Sequence, residues 1–435
     1  MTGAPQSPFR SFWMGGYEGA DHVNGRGDAL DMVRATGHDR FLGQDYRAAR
    51  ALGLRCLRES VGWRLSERAP GQWDFSRAVR MARTARRHGL QVLWTLMHYG
   101  VPPDLTLLDD GLIPRFARFA AEAARVLKPL SSGPRFYTPI NEISFLAWAA
   151  SSTNAMGPAG AHLDDAGQED SKVSGYEIKR RLVRAALAGM DAIRDVDPDA
   201  RFLHIDPVIH VVPTEDTPEL RQLASTIASY QWQAFDMLSG RQDPELGGHA
   251  AALDWIGLNH YHSSQWEVPS EKRLAWHLGD PRRQPLSELL RLVWERYQRP
   301  LIVAETGHIG RGRADWLLDI ADQARRAVQL GVPLAGVCLY PLLDRPDWHE
   351  PERWHRSGVW HVVRGTHGVP VGRRVVLPYA RALATVLPCD EPPHPRPLPL
   401  RGRGDDRGGA DLSLPLGPRG DRGGADLSLP LGPRG

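Results

Sequence analysis

Eight short apolar runs, most of them without polar–apolar alternation, recur along this chain with stretches of helical period between them. They cover residues 11–16, 54–59, 91–96, 135–141, 201–205, 254–259, 301–305 and 335–340. A strand that faces water on one side alternates; a strand buried on both faces reads as a continuous apolar run. The intervening segments 44–52, 76–88, 114–128, 176–195, 219–238, 286–297 and 314–330 read as helices. In one of them Leu220, Leu223, Ile227, Tyr230, Ala234 and Met237 recur every three or four residues, as one buried helix face requires. Pro378 opens a last helix over 378–387, at a position where a missing N–H costs nothing. Parallel neighbours need crossovers of helix length, and each gap is long enough. Eight such repeats predict an α/β fold, a single-domain (β/α)8 barrel spanning residues 1–390.

Residues 391–435 differ in kind. They are rich in Pro, Gly and Arg, and the segment 406–420 is repeated without change as 421–435. No aromatic residue lies beyond Tyr379. Such a tail cannot bury enough surface to offset its ordering entropy, so disorder is expected. A net charge of +3, spread along the chain, gives no reason to expect nucleic acid as a partner. No apolar run approaches the roughly 20 residues of a membrane span. The cysteines, Cys56, Cys338 and Cys389, form no paired framework, and residues 1–10 lack the apolar core of a secretory leader. A reduced, cytoplasmic setting is expected. The oligomeric state is not legible.

Barrels of this kind place their chemistry at the C-terminal ends of the strands. Polar residues stand at or just past those ends here: Glu18, Arg58, His98, Glu142, Asp206, Tyr261, Glu305 and Asp344. Glu142 and Glu305 each follow an apolar run, so two strands deliver one carboxylate each. Facing carboxylates suit glycoside hydrolysis: one protonates the departing oxygen and the other captures the sugar cation. Separation of about 5 Å would serve the retaining route and about 6.5–9.5 Å the inverting one. Repulsion between them would raise the pKa of Glu142, and a cation beside Glu305 would keep that group charged. Arg58, with its fixed guanidinium fork, is the candidate. The competing reading of both glutamates is buried ion pairing or helix capping. HExxH, GxGxxG, Walker and GxSxG patterns are missing, so neither a metal nor a cofactor is expected.

Several motifs, in order, resemble those of glycoside hydrolase family 1, the retaining β-glycosidases. Phe12-Trp13-Met14-Gly15-Gly16 is similar to the opening F-x-x-G, and Arg58-Glu59-Ser60-Val61-Gly62-Trp63 to R-x-S-x-x-W. Thr95-Leu96-Met97-His98-Tyr99 resembles T-L-x-H-W, Asn141-Glu142 matches N-E, and Gly257-Leu258-Asn259-His260-Tyr261 matches G-x-N-x-Y. Glu305-Thr306-Gly307 stands where E-N-G is usual, and Leu342-Leu343-Asp344-Arg345-Pro346-Asp347-Trp348 resembles L-L-D-x-x-E-W. The resemblance implies that Glu142 is the acid/base and Glu305 the nucleophile. It further implies that Tyr261 orients the nucleophile, Asn141 holds the sugar 2-hydroxyl and His98 another hydroxyl. Glu18 falls near the family's sugar-binding Gln, and Asp347 replaces its Glu. Tyr340 and Trp348 would stack on sugar faces. The implied partner is a small-molecule carbohydrate. Pro139, Ile143, Thr306, Tyr340, Pro341 and Asp347 depart from the family pattern around the pair, so the sugar pocket is rebuilt. A transglycosidase, or a carbohydrate-binding barrel without turnover, is the alternative.

Overall fold

The structure, a computed structural model, describes residues 7–153, 156 and 174–387. The repeated tail and Cys389 lie outside the described residues. Eight strands close a parallel barrel in sequence order: β1 (Trp13–Gly16), β2 (Cys56–Ser60), β3 (Gln91–Met97), β4 (Phe136–Ile140), β5 (Arg201–Pro207), β6 (Trp255–Asn259), β7 (Leu301–Thr306) and β8 (Leu334–Leu339). β1 pairs with both β2 and β8 and shuts the ring. Each run read as a strand is one.

Eight helices follow the strands: α1 (His38–Ala51), α2 (Ser76–Arg87), α3 (Leu112–Leu127), α4 (Gly175–Val196), α5 (Pro218–Leu238), α6 (Leu286–Tyr297), α7 (Arg313–Gln329) and α8 (Leu377–Val386). α1 begins six residues before the segment predicted for it. Non-helical angles at Phe41 bend its first turn and hide the continuous period. Pro218 occupies the first turn of α5, and the Thr217 side chain accepts from the N–H of Leu220, which caps it. Among the described residues, no helix is long and apolar enough to cross a membrane.

Two apolar layers explain why the strands do not alternate. Met14, Cys56, Leu93, Phe136, Leu203, Ile302 and Cys338 fill the barrel interior. Their neighbours Trp13, Leu57, Trp94, Tyr137, Phe202, Val303 and Val337 pack in the cluster shared with the helices. Phe9 packs tilted against Phe136 and edge-on to Trp255, with centroids 4.7 and 5.0 Å away, and plugs the lower mouth. Among the described residues the interior is therefore filled below, and the upper ends of the strands face the large pocket.

Elements not read from the sequence decorate the rim. A helix, Ile143–Ser152, starts directly after Glu142. A hairpin of Trp360–Arg364 and Pro370–Val375 precedes α8, and His210–Pro213 pairs with Gln265–Val268 in a small parallel ribbon above β5 and β6.

Candidate active site

The strand ends position each polar group. On β2 the period of two turns Leu57 and Glu59 outward and sends Arg58 into the barrel, where it is 2% exposed. Its Nη1 donates to Glu305 Oε1 at 2.7 Å and its Nη2 to Asn141 Oδ1 at 3.0 Å and Thr95 Oγ1 at 3.2 Å. Burial by itself favours loss of the arginine proton, but the adjacent Glu305 carboxylate more than reverses this and holds Arg58 cationic. Glu305, on β7, also accepts from Tyr261 Oη at 2.8 Å. Both of its oxygens are thus pinned, one by a cation and one by a phenol.

Glu142 reaches the pocket by a strained backbone. Pro139 carries no N–H, and the β4–β5 ladder lapses after Tyr137 until Asn141 bridges Ile205. Glu142 then adopts φ 47°, ψ 62° and begins the helix, whose second residue is fixed by Asp206 through the Ser144 N–H at 3.0 Å. A left-handed conformation at a non-glycine residue costs free energy and persists where surrounding contacts dictate it. The Glu142 carboxylate accepts from Asn259 Nδ2 at 2.8 Å and from the Tyr99 hydroxyl. Burial, then the neighbouring Glu305, pushes its pKa up to about 8. Two carboxyls in one cavity are therefore set apart. Among the described residues Glu305 has a cation in contact and Glu142 has none, and the raised pKa of Glu142 favours its protonated form near neutrality.

Glu18, His98, Glu142, Tyr261 and Glu305 all line one pocket, joined on the β8 side by Tyr340, Asp347 and Trp348. The pocket's empty space, with the open mouth included, is about 860 Å³. Two of the ten residues singled out from the sequence lie beneath its floor. Arg58 supports Glu305, and Asn141 is wholly buried, its carboxamide shared by Arg58, Tyr99 and His98. His98 is held by Ser60 Oγ at 3.0 Å. Burial, with Arg58 nearby, keeps its pKa well below the usual value, so the ring is neutral. Glu18 pairs with Arg345 at 3.2 Å and accepts from the Ala20 N–H at 3.1 Å. Asp347 accepts from His355 at 2.6 Å and from the backbone of His349 and Glu350. Asp206 and Asp344, also at strand ends, serve the scaffold: Asp344 accepts from the Gly358 N–H and pairs with His361.

The sequence reading missed three contributors. Tyr99 bonds to Glu142, Asn259 bonds to the same carboxyl, and Arg345 brings a cation to Glu18 and lies 5.1 Å over the Trp348 ring. Asn259 and Arg345 sat within the quoted motifs without a role. Tyr99 had one available signal, a hydroxyl where the family carries an indole.

The closed eight-fold parallel barrel is a fold that this chain shares with solved β-glucosidase structures. The chain superposes on a β-glucosidase from Thermotoga maritima in complex with glucoimidazole with a TM-score of 0.67, at 16% identity, covering 88% of this chain and 99% of that one. The virulence factor SghA from Agrobacterium tumefaciens gives a TM-score of 0.64 at 17% identity, with 87% and 97% covered. Among curated proteins the chain is similar to a phospho-cellobiase of Klebsiella oxytoca, 22% identical over 381 residues, 73% of this chain and 78% of that one. No family model matches the chain.

Proposed function

We propose that this protein is a retaining β-glycosidase that hydrolyses small β-glycosides by double displacement, without a cofactor, in the cytoplasm. The observation that carries the reading is the unequal environment of two carboxyls lining one pocket. Glu305 is clamped by Arg58 and Tyr261, whereas Glu142 is buried, its pKa raised, and among the described residues no cation touches it. Glu142 would protonate the departing oxygen while Glu305 forms the glycosyl ester. Water would then open that ester with Glu142 as base. Glu18, His98, Arg345 and Asp347 would receive the sugar hydroxyls, and Trp348 would pack on a sugar face.

The rest of the pocket suits an apolar leaving group. Phe145, one turn beyond Glu142, faces the cavity with Ile309 and His308. His308 accepts from Trp276 Nε1 at 2.9 Å, so that nitrogen carries no proton, and its Nδ1 donates to the Ile309 carbonyl at 2.6 Å.

Mass spectrometry after treatment with 2-fluoro-β-glycosides tests the assignment. A covalent sugar is expected on the peptide bearing Glu305. Glu305→Gln should abolish labelling and turnover. Glu142→Gln should slow phenyl β-glycosides by about 10²–10⁴-fold and dinitrophenyl glycosides far less, because that leaving group needs no proton. Sugar binding by a parent protein that turns over no glycoside would instead establish the non-catalytic barrel.

A further inference from the structure

We infer that Tyr99 is a positioning residue for the acid/base: its hydroxyl donates to the Glu142 carboxylate and steadies the charge that appears there when the proton leaves. The inference rests on the glycosidase reading and extends it to a residue that the motifs leave without a role.

The direction of each hydrogen bond follows from one fixed donor. A guanidinium can only donate. Arg58 Nη2 lies 3.0 Å from Asn141 Oδ1, so that oxygen accepts and the amide nitrogen of Asn141 faces the other way. That nitrogen is 3.2 Å from the Tyr99 oxygen, which must therefore accept from it. The single phenolic proton is left to Glu142 Oε2, the next group in reach. Glu305, Arg58, Asn141, Tyr99 and Glu142 thus form one chain of polarised bonds, with Glu305 and Glu142 at its ends. The cation that holds one carboxylate also sets the orientation of the donor to the other.

Backbone geometry is a second, separate observation. Tyr99 has φ 80° and Glu142 has φ 47°, both in the left-handed region that non-glycine residues avoid. Two bonded side chains, each on a strained residue in the same pocket, mark a contact that the fold holds at a cost. The ring itself is fixed by His98, Phe145 and Trp348, with centroids 4.8, 5.5 and 5.6 Å away.

The groups that set the charge of Glu142 come from every strand around it. Glu305 on β7 and Asp206 on β5 favour its proton, as does burial; Asn259 on β6 and Tyr99 beyond β3 favour the anion. Tyr261, above β6, also lies within the reach of its charge. When the proton passes to the leaving oxygen, a buried carboxylate is created, and among the described residues Asn259 and Tyr99 are the two that donate to it directly. Without the phenol the acid is weaker.

Tyr99→Phe tests this in the full chain, with kcat/KM followed against pH for phenyl and 2,4-dinitrophenyl β-glucosides and the matching galactosides. The alkaline limb should move up by about one pH unit or more. Phenyl glycosides should lose about 10- to 100-fold and dinitrophenyl glycosides less than about 3-fold, because no proton is needed there. Tyr99→Trp, which keeps an aromatic ring without the hydroxyl, should shift the limb in the same direction. Equal losses on both leaving groups with the limb unmoved in either variant would overturn the inference and reduce Tyr99 to packing. A parent protein that hydrolyses none of the four glycosides would overturn the glycosidase reading itself.

Discussion

Glu142 carries contrary demands at the scale of one residue. It must be buried to keep a proton near neutrality, and burial of a carboxyl is costly when it ionises. The ordinary glutamate pKa is about 4.3, and the folded protein pushes Glu142 up to about 8, through burial and then Glu305. Between those values the folded chain retains a proton that the unfolded chain has released. Stability from this group is therefore lost as pH rises across that window and levels off above it. Glu142→Gln removes the penalty. In thermal melts the variant should gain on the parent progressively as pH rises from about 4 to 8, while losing activity. A variant that tracks the parent at all pH values would show that Glu142 titrates normally. Tyr99 belongs to the same scale: no spacing rule marks it, because its role depends on which way the Asn141 amide turns.

The elements that hold the site are uneven in how they announce themselves. β4 and β7 read clearly as buried strands, and their terminal carboxylates follow. The helix Ile143–Ser152 is apolar on nearly all sides, with Ile143, Phe145, Leu146, Ala147 and Ala149 buried, and so shows little amphipathic period. The hairpin Trp360–Arg364 and Pro370–Val375 is tied down by Arg373, which grips Asp45 of α1 at 2.8 and 2.9 Å. Behind that pair, His38 bonds to Asp45 at 2.8 Å and to Glu59 at 3.0 Å, wholly buried against the Tyr17 ring. Burial would strip His38 of its proton, but Glu59 and Asp45 outweigh it and push its pKa up to about 9. Relative to an unfolded value of about 6.5, its contribution is complete below that pH and disappears as pH rises through 9. His38→Gln should cost about 3–5 kcal/mol at pH 6 by leaving the buried Glu59 carboxylate without its cation, while Asp45 keeps Arg373, with the difference from the parent shrinking above pH 9. Urea unfolding at both pH values measures this, and a constant difference would exclude a charged His38.

Across the whole molecule, ring closure converts eight local signals into one cavity. Gly16 ends β1 where an added Cβ would come 2.3 Å from Tyr340 Cδ2, so β1 and the segment after β8 meet only because that side chain is absent. Arg58 from β2, Asn141 from β4 and Glu305 from β7 become neighbours through the same closure. We propose that residues 391–435 contribute nothing to this barrel. A chain ending at Asp390 should keep its melting temperature within about 2 °C, roughly 1 kcal/mol for a protein of this size; a larger loss in calorimetry would assign the tail a structural part.

The sequence by itself determined the order of the eight barrel strands and their following helices, the closed parallel topology and the two carboxylates at strand ends. Those depend on period and on residue type over short spans, where backbone geometry dictates which side chains can be buried. Tertiary structure alone decided that Arg58 would orient Asn141, that Asn141 would leave the Tyr99 proton to Glu142, and that Arg345 would meet Glu18. Hydrogen bonds are directional and reach about 3 Å. Their partners lie 42 to 327 positions apart in the chain, and only closure of the barrel brings them within that reach.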